Sequence, residues 1–376
     1  MTVMSWVQDK IRTLGRRLRA ALVPRGGPEN GPFSAMAGKI LAEELPARGI
    51  DIQAIYASSG AVPTAMIGCT GDWSKLCDIW ANLRPENIVS EPSKSKTAIR
   101  MAKSDLAYAF KKEPLYESFF DHSPLRELME GNYDPNKISS PEALLAKFPA
   151  VDLLSNEYII FSNKAPGHIR WFLEGALGSM GLVPFMPPTR VYNPEEAGLI
   201  EKGRAKDNSL LLIDGGFMGN MLLEEATRDG YDIIFLIDIH GLQPAETNFD
   251  VKKRQHWAKL LRSAFHLLSC TNDRRQFQMD DRINEEIRIK QLLLQLSGRL
   301  PLEYAQELRD IVQRMNQGRL RLGDKEETKV VMVANPERSN LFNFTSFTQH
   351  KETLELMDAA REATYRMLQE LDKSSE

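Results

Sequence analysis

Cysteine is scarce in this chain. Cys69, Cys77 and Cys270 are the only three among 376 residues, too few and too irregularly spaced for a disulfide framework or a metal knuckle. His122, His168, His256, His266 and His350 stand at no metal-ligand spacing, so no metal or other cofactor is expected. No apolar run reaches about 18 residues, which excludes a bilayer-spanning helix. The uninterrupted apolar core of a secretory signal is also missing. A net charge of -3 argues against bulk nucleic-acid binding, and no G-x-G-x-x-G marks a dinucleotide site. A reducing, cytoplasmic setting is the simplest expectation.

What is present begins with a basic amphipathic segment. Met4, Val7, Ile11, Leu14 and Leu18 recur at helical spacing, and Lys10, Arg12, Arg16, Arg17 and Arg19 surround them. Such a helix suits an anionic membrane surface, where Trp6 favours the interface, packing on its own domain, or an organelle-targeting peptide. Residues 1–19 are thus a candidate peripheral membrane contact.

Ala20 to Val23 reads as a short buried strand, followed by the loop Gly26-Gly-Pro-Glu-Asn-Gly31 and a helical segment from Ser34 to Leu45. Strand, Gly-rich loop and helix present backbone amides to an anion. Further buried strands are expected at Tyr158–Phe161, Ser209–Ile213 and Tyr231–Ile239. Apolar runs of this length between helical segments favour a mostly parallel sheet covered on both faces. From about residue 246 the chain turns mostly helical, with one more strand at 328–334 rejoining the sheet. One α/β core is expected over 18–245, preceded by the helix of 1–17 and followed by helical additions over 246–376.

Two stretches carry chemistry. Ile52 to Ala65 reads as strand, tight turn and helix, with Ser58 in the turn. That is most of a nucleophile elbow, G-x-S-x-G, whose small residues let strand and helix crowd together. In this register Gly60 holds the second glycine position and Tyr56 stands at the first. The other stretch is Asp214-Gly-Gly-Phe-Met-Gly-Asn220. Asp214 ends a strand, so its carboxylate lies at the carboxyl edge of the sheet, where open α/β sheets bind ligands.

Taken in order, the Gly26–Gly31 loop, Ala57-Ser-Ser-Gly-Ala61, Ser123-Pro-Leu-Arg-Glu-Leu128, the Gly178–Pro188 stretch and Asp214-Gly215-Gly216 with Asn220 resemble the patatin-like phospholipase family over roughly residues 18–240. The resemblance implies a three-layer α/β fold and a Ser–Asp dyad without histidine, acting on phospholipid or another acyl ester. Ser58 would attack the ester carbonyl, Asp214 would take its proton, and the same carboxylate would activate water on the acyl-enzyme. A carboxylate near its reference pKa of roughly 3.9 is a poor base for a hydroxyl. An oxyanion site at Gly26, Gly27, Pro28 and Glu29 would therefore carry much of the barrier.

Three positions depart from the family pattern. Pro28 has no N–H to donate, Asn30 replaces the loop arginine, and Tyr56 crowds the elbow. These departures leave room for a protein that keeps the cleft to bind lipid or a partner without hydrolysing it. A third alternative is an α/β-hydrolase triad, because Ser58, Asp214 and His240 follow the Ser…Asp…His order.

Overall fold

The computed structural model describes residues 3–90, 121–165, 167–183, 186–196, 198–200, 208–217, 222–240, 278, 282–295, 302–317, 328–335 and 349–372. The expected helix within 252–270 and Asn220 lie outside these residues.

The strands are β1 (Leu18–Pro24), β2 (Ile50–Tyr56), β3 (Leu145–Asp152), β4 (Tyr158–Ser162), β5 (Thr189–Tyr192), β6 (Ser209–Asp214), β7 (Ile233–Ile237) and β8 (Lys329–Val333). They form one mixed sheet, ordered β5-β6-β3-β2-β1-β7-β8, with β4 paired to β3. The run from β3 through β2, β1 and β7 to β8 is parallel. β4, β5 and β6 join antiparallel. β8 is the strand expected at 328–334.

The helices are α1 (Val3–Leu14), α2 (Asn30–Glu44), α3 (Val62–Gly68), α4 (Trp73–Asn82), α5 (Ser123–Glu130), α6 (Pro135–Ser139) and α7 (Phe172–Ser179). After them come α8 (Leu223–Asp229), α9 (282–295), α10 (Leu302–Gln317) and α11 (His350–Asp372).

Both faces of the sheet are covered, which explains why β1 reads as a continuous apolar run. Successive side chains in a strand point to opposite faces. Leu18, Ala20 and Leu22 enter the larger core with Phe33 and Leu41 of α2, Leu76 of α4, Phe172 of α7 and Leu356 of α11. Ala21 and Val23 enter the opposite core with Ala54, Tyr56, Tyr231 and α8. The final helix is part of this frame, since α11 lies along α2. Arg48 at the end of the α2 segment pairs with Asp372 of α11 at 2.7 Å.

The apolar stripe of α1 is committed to the domain. Val7 is fully buried, and Trp6, Ile11 and Leu14 pack against the main core; Leu18 belongs to β1 rather than to the helix. Its basic surroundings are largely matched by acids. Arg16 and Arg19 meet the buried Asp232, Arg17 meets Asp51 and Arg12 meets Asp9. The charge left for an anionic surface is therefore smaller than the sequence suggests.

β3 is the splint of the sheet. Lys147 pairs with Tyr56 of β2 on one edge and with Ser162 of β4 on the other. Ala150 pairs with Ile159 of β4 and with Asp214 of β6. β2 and β6 therefore lie on the same edge of β3, one after the other. β2 runs parallel to β3 and β6 antiparallel, so their carboxyl ends point at each other across Phe148 and Pro149 of β3, about 10 Å of strand. The Lys147 carbonyl accepts the Ala57 N–H at 3.0 Å, so two residues on, Pro149 faces the same edge. Its missing N–H falls in the gap between the two strand ends, where no ladder bond is lost.

Candidate active site

The chain leaves β2 through Ala57 and Ser58 and turns at Ser59. Ser58 is still extended, at φ -140° and ψ 150°, and its side chain is fully buried with an unpartnered hydroxyl. Ser59 has φ +50°. Among the described residues the other non-glycine positions with positive φ are Asn156, Asn193 and Asn208, and asparagine tolerates that region better than serine does. A strained serine between strand and helix is the geometry of a nucleophile elbow. Ser59 is only half-buried, whereas Ser58 before it is fully buried.

That hydroxyl donates to Asp214 Oδ2 at 2.6 Å. The structure thus brings Asp214 together with Ser59, not with Ser58. The expectation fails by one residue because Ala57-Ser-Ser-Gly-Ala61 can be counted in two registers. With Ser59 central, Ala57 and Ala61 fill the small positions and the motif is symmetrical. Tyr56 then no longer crowds the elbow. It is the last residue of β2 and points into the opposite core, where its hydroxyl donates to Asp229 and lies 3.3 Å from that of Tyr231.

Asp214 ends β6, and its backbone and side chain are both held. Its N–H donates to the Gly181 carbonyl at 3.1 Å, and Oδ1 accepts the Gly216 N–H at 2.7 Å. Gly215 lies against Pro149 of β3, where an added Cβ would come within 2.6 Å of the Pro149 carbonyl oxygen. Burial raises the Asp214 pKa from the ordinary 3.8 to about 6, and the bonds from Ser59 and Gly216 oppose that rise. A carboxylate with that pKa is a better proton acceptor than an exposed one, yet it is still ionised at neutral pH.

The Gly178–Pro188 stretch acquires a role that its composition alone does not specify. Ser179 Oγ accepts the Ser59 N–H at 3.4 Å, and Gly181 holds Asp214 as described. An added Cβ on Gly178 would lie 2.5 Å from the Leu212 Cβ, so α7 sits hard on β6. Small residues here allow one helix end to touch both halves of the Ser–Asp pair.

The Gly26–Gly31 loop packs directly on the elbow. A Cβ on Gly60 would fall 2.6 Å from the Gly27 carbonyl oxygen and 2.7 Å from the Pro28 Cα. On Gly31 it would strike the Trp80 ring at 2.3 Å. Gly27 has φ +126°, a conformation that only glycine adopts readily. Gly60 sits in the first turn after Ser59, where a backbone amide precedes any intrahelical acceptor. Gly27 and Gly60 are therefore in direct backbone contact beside the turn that carries Ser59. Pro28 has no N–H to offer there.

Asn30 is a strut rather than a lost charge. Its Oδ1 accepts the Ile239 N–H at 3.0 Å, and its Nδ2 reaches the Gly26 carbonyl at 3.2 Å and Asp238 Oδ1 at 3.3 Å. Beside it Arg25 pairs with Asp238 at 2.9 Å, both buried. Sequence reading missed Arg25, Asp238 and Ser179. Only the placement of Arg25 and Asp238 at the carboxyl ends of two strands could have pointed to them.

His240 does not complete a triad. Its Nε2 lies 3.2 Å from Glu29 Oε1, and it follows β7, which the sheet order separates from the Asp214 strand β6 by β3, β2 and β1. No cluster of metal-ligating side chains occurs among the described residues. The chain matches no protein-family model and no curated protein.

Proposed function

We propose that this chain is a serine acyl hydrolase with patatin-like chemistry, cleaving a phospholipid or another acyl ester through an acyl-enzyme on Ser59. The observation that carries the reading is a serine at φ +50° whose hydroxyl donates at 2.6 Å to a buried strand-end carboxylate. Strain, partial access and a base with pKa about 6 combine at one side chain, and structural serines do not need that combination.

In this mechanism Ser59 Oγ attacks the ester carbonyl while its proton passes to Asp214 Oδ2. The negative charge forming on the carbonyl oxygen is met by the amides of Gly27 and Gly60, each donor of this kind lowering the barrier by about 3–4 kcal/mol. Collapse breaks the ester bond, and the leaving alkoxide takes the proton from Asp214. Water then gives a proton to the same carboxylate as it attacks the acyl group, releasing the carboxylic acid and returning the proton to Ser59. One carboxylate serves both halves because it is held at Oδ1 by Gly216 and is free to exchange a proton at Oδ2. The lipid nature of the substrate rests on the family resemblance. No described helix is long and apolar enough to cross a membrane, so contact with lipid would be from the side.

A fluorophosphonate ester probe tests the assignment on the folded chain. Labelling and acyl release from mixed micelles are expected for the wild type and for Ser58→Ala, and both are expected to vanish in Ser59→Ala. A protein that neither labels nor releases acyl chains would instead be a lipid- or partner-binding protein that keeps the cleft, a reading favoured by the proline at position 28.

A further inference from the structure

The dyad leaves unused a buried set of charges behind the oxyanion loop. Three consecutive-strand-end residues, Asp238, Ile239 and His240, grip the loop by its backbone and side chains. Arg25 donates its N–H to the Ile237 carbonyl at 2.9 Å and its guanidinium to Asp238 Oδ2 at 2.9 Å. Asp238 Oδ1 accepts from Asn30 and from the His240 N–H at 3.1 Å. His240 then closes the circuit on Glu29 at 3.2 Å. Glu29 is the residue between Pro28 and the first turn of α2, and its Oε1 lies 3.3 Å from the point where a Cβ on Gly27 would sit. A carboxylate therefore stands beside Gly27 in the loop assigned above to the oxyanion, and like charges repel most where water is excluded.

We propose that the His240 imidazolium is the counter-ion of Glu29, holding the oxyanion loop in its working shape and cancelling its negative charge, so that loss of the His240 proton slows hydrolysis at high pH. This inference rests on the Ser59–Asp214 reading and makes His240 a positioning residue rather than a proton carrier in the reaction.

Among the described residues the charged groups acting on His240 are Glu29, Asp238 and Arg25. Burial pulls the imidazolium pKa down, but the bond to Glu29 and the fields of Asp238 and Glu29 outweigh it and Arg25, leaving the pKa above the ordinary 6.5. Burial likewise pushes Glu29 up, and His240 and Arg25 overcome it, so that Glu29 stays ionised. A histidine with a raised pKa keeps its proton through neutral pH and loses it as pH rises past the folded value. Combined with ionisation of Asp214 near pH 6, the rate should rise through about 6 and fall again on the alkaline side.

The experiment measures kcat/KM against pH for the full chain on a soluble p-nitrophenyl acyl ester, beside the NMR titration of the His240 Cε1 proton. Wild type should give a bell. His240→Gln should lose at least tenfold in kcat/KM at neutral pH, since one uncompensated charge within about 12 Å at an effective dielectric of about 20 has at least that effect, and its alkaline limb should disappear. Glu29→Gln should also lack the alkaline limb, and adding it to His240→Gln should restore most of the lost rate. A packing role would instead lower the rate equally at every pH, with no rescue. The NMR pKa of His240 should lie above 6.5 in the wild type and fall in Glu29→Gln, a readout that stands even where His240→Gln does not fold. An active enzyme whose alkaline limb is unmoved by both variants, or a His240 pKa indifferent to Glu29, overturns the counter-ion alone. A folded wild type without hydrolysis at any pH removes the hydrolase reading together with it.

Discussion

Replacing Asp214 by Asn should make the protein more stable while abolishing the hydrolysis proposed above. An unfolded aspartate loses its proton around pH 3.8, whereas Asp214 in the fold keeps it until about 6. Between those values the folded state binds more protons than the unfolded one, so stability falls as pH rises. Below 3.8 nothing is lost, and above 6 the full cost is present. At about 1.36 kcal/mol per pH unit, that gap is worth about 3 kcal/mol. The side chain is 5% exposed, so solvent screening removes little of it. Asn cannot ionise and escapes this cost, but its amide N–H groups enter a site built to donate to oxygen, a loss of about 1 kcal/mol. The expected net gain at pH 8 is about 2 kcal/mol, shrinking to zero or below as the pH is lowered towards 4. Urea titrations of wild type and variant at several pH values measure it directly, and melting temperatures should differ by about 2–3 °C at pH 8. A variant less stable than wild type by the same margin at pH 8 and pH 4.5 would show that Asp214 bears no buried-charge cost, and the basis for its action as a base would go with it.

Two further outcomes follow from the backbone at the elbow. Ser59→Gly should be about 1 kcal/mol more stable than Ser59→Ala in the same urea assay, because only glycine relieves φ +50° without a side-chain penalty; equal stabilities would mean that the turn is not strained. Gly60→Ala would push a methyl to 2.6 Å from the Gly27 carbonyl oxygen, backbone that cannot step aside cheaply. It should lower kcat/KM by about 10²-fold, the scale of one displaced oxyanion donor, while the far-ultraviolet circular dichroism stays that of the wild type. An unchanged rate would separate the loop from the chemistry.

Much of the frame is legible in the chain. β1, β6 and β7 show as unbroken apolar runs because strands covered on both faces need no polar side, and Asp214 stands out as an acid closing such a run. The Gly26–Gly31 loop and the small-residue stretch around Gly178–Gly181 show as places where backbones must approach closely. The family resemblance draws on the same residues. The amphipathic start of the chain is legible too, but its partner is not. A stripe of Val7, Ile11 and Leu14 looks the same whether it meets lipid or the Gly49 corner of its own domain, where Ile11 packs.

Sequence by itself determined the class of fold, the strand that carries the acid and the turn that carries a serine, because hydrophobic period and glycine placement are local properties. Only the tertiary structure decided which of two adjacent serines meets Asp214. That choice depends on β2 and β6 ending head to head along one edge of β3 and on a single positive φ at Ser59, and neither is written in the identity of residues 58 and 59. The same holds for His240, which its position in the chain offers to a triad. The fold commits it to Glu29, since the end of β7 runs beside the loop after β1.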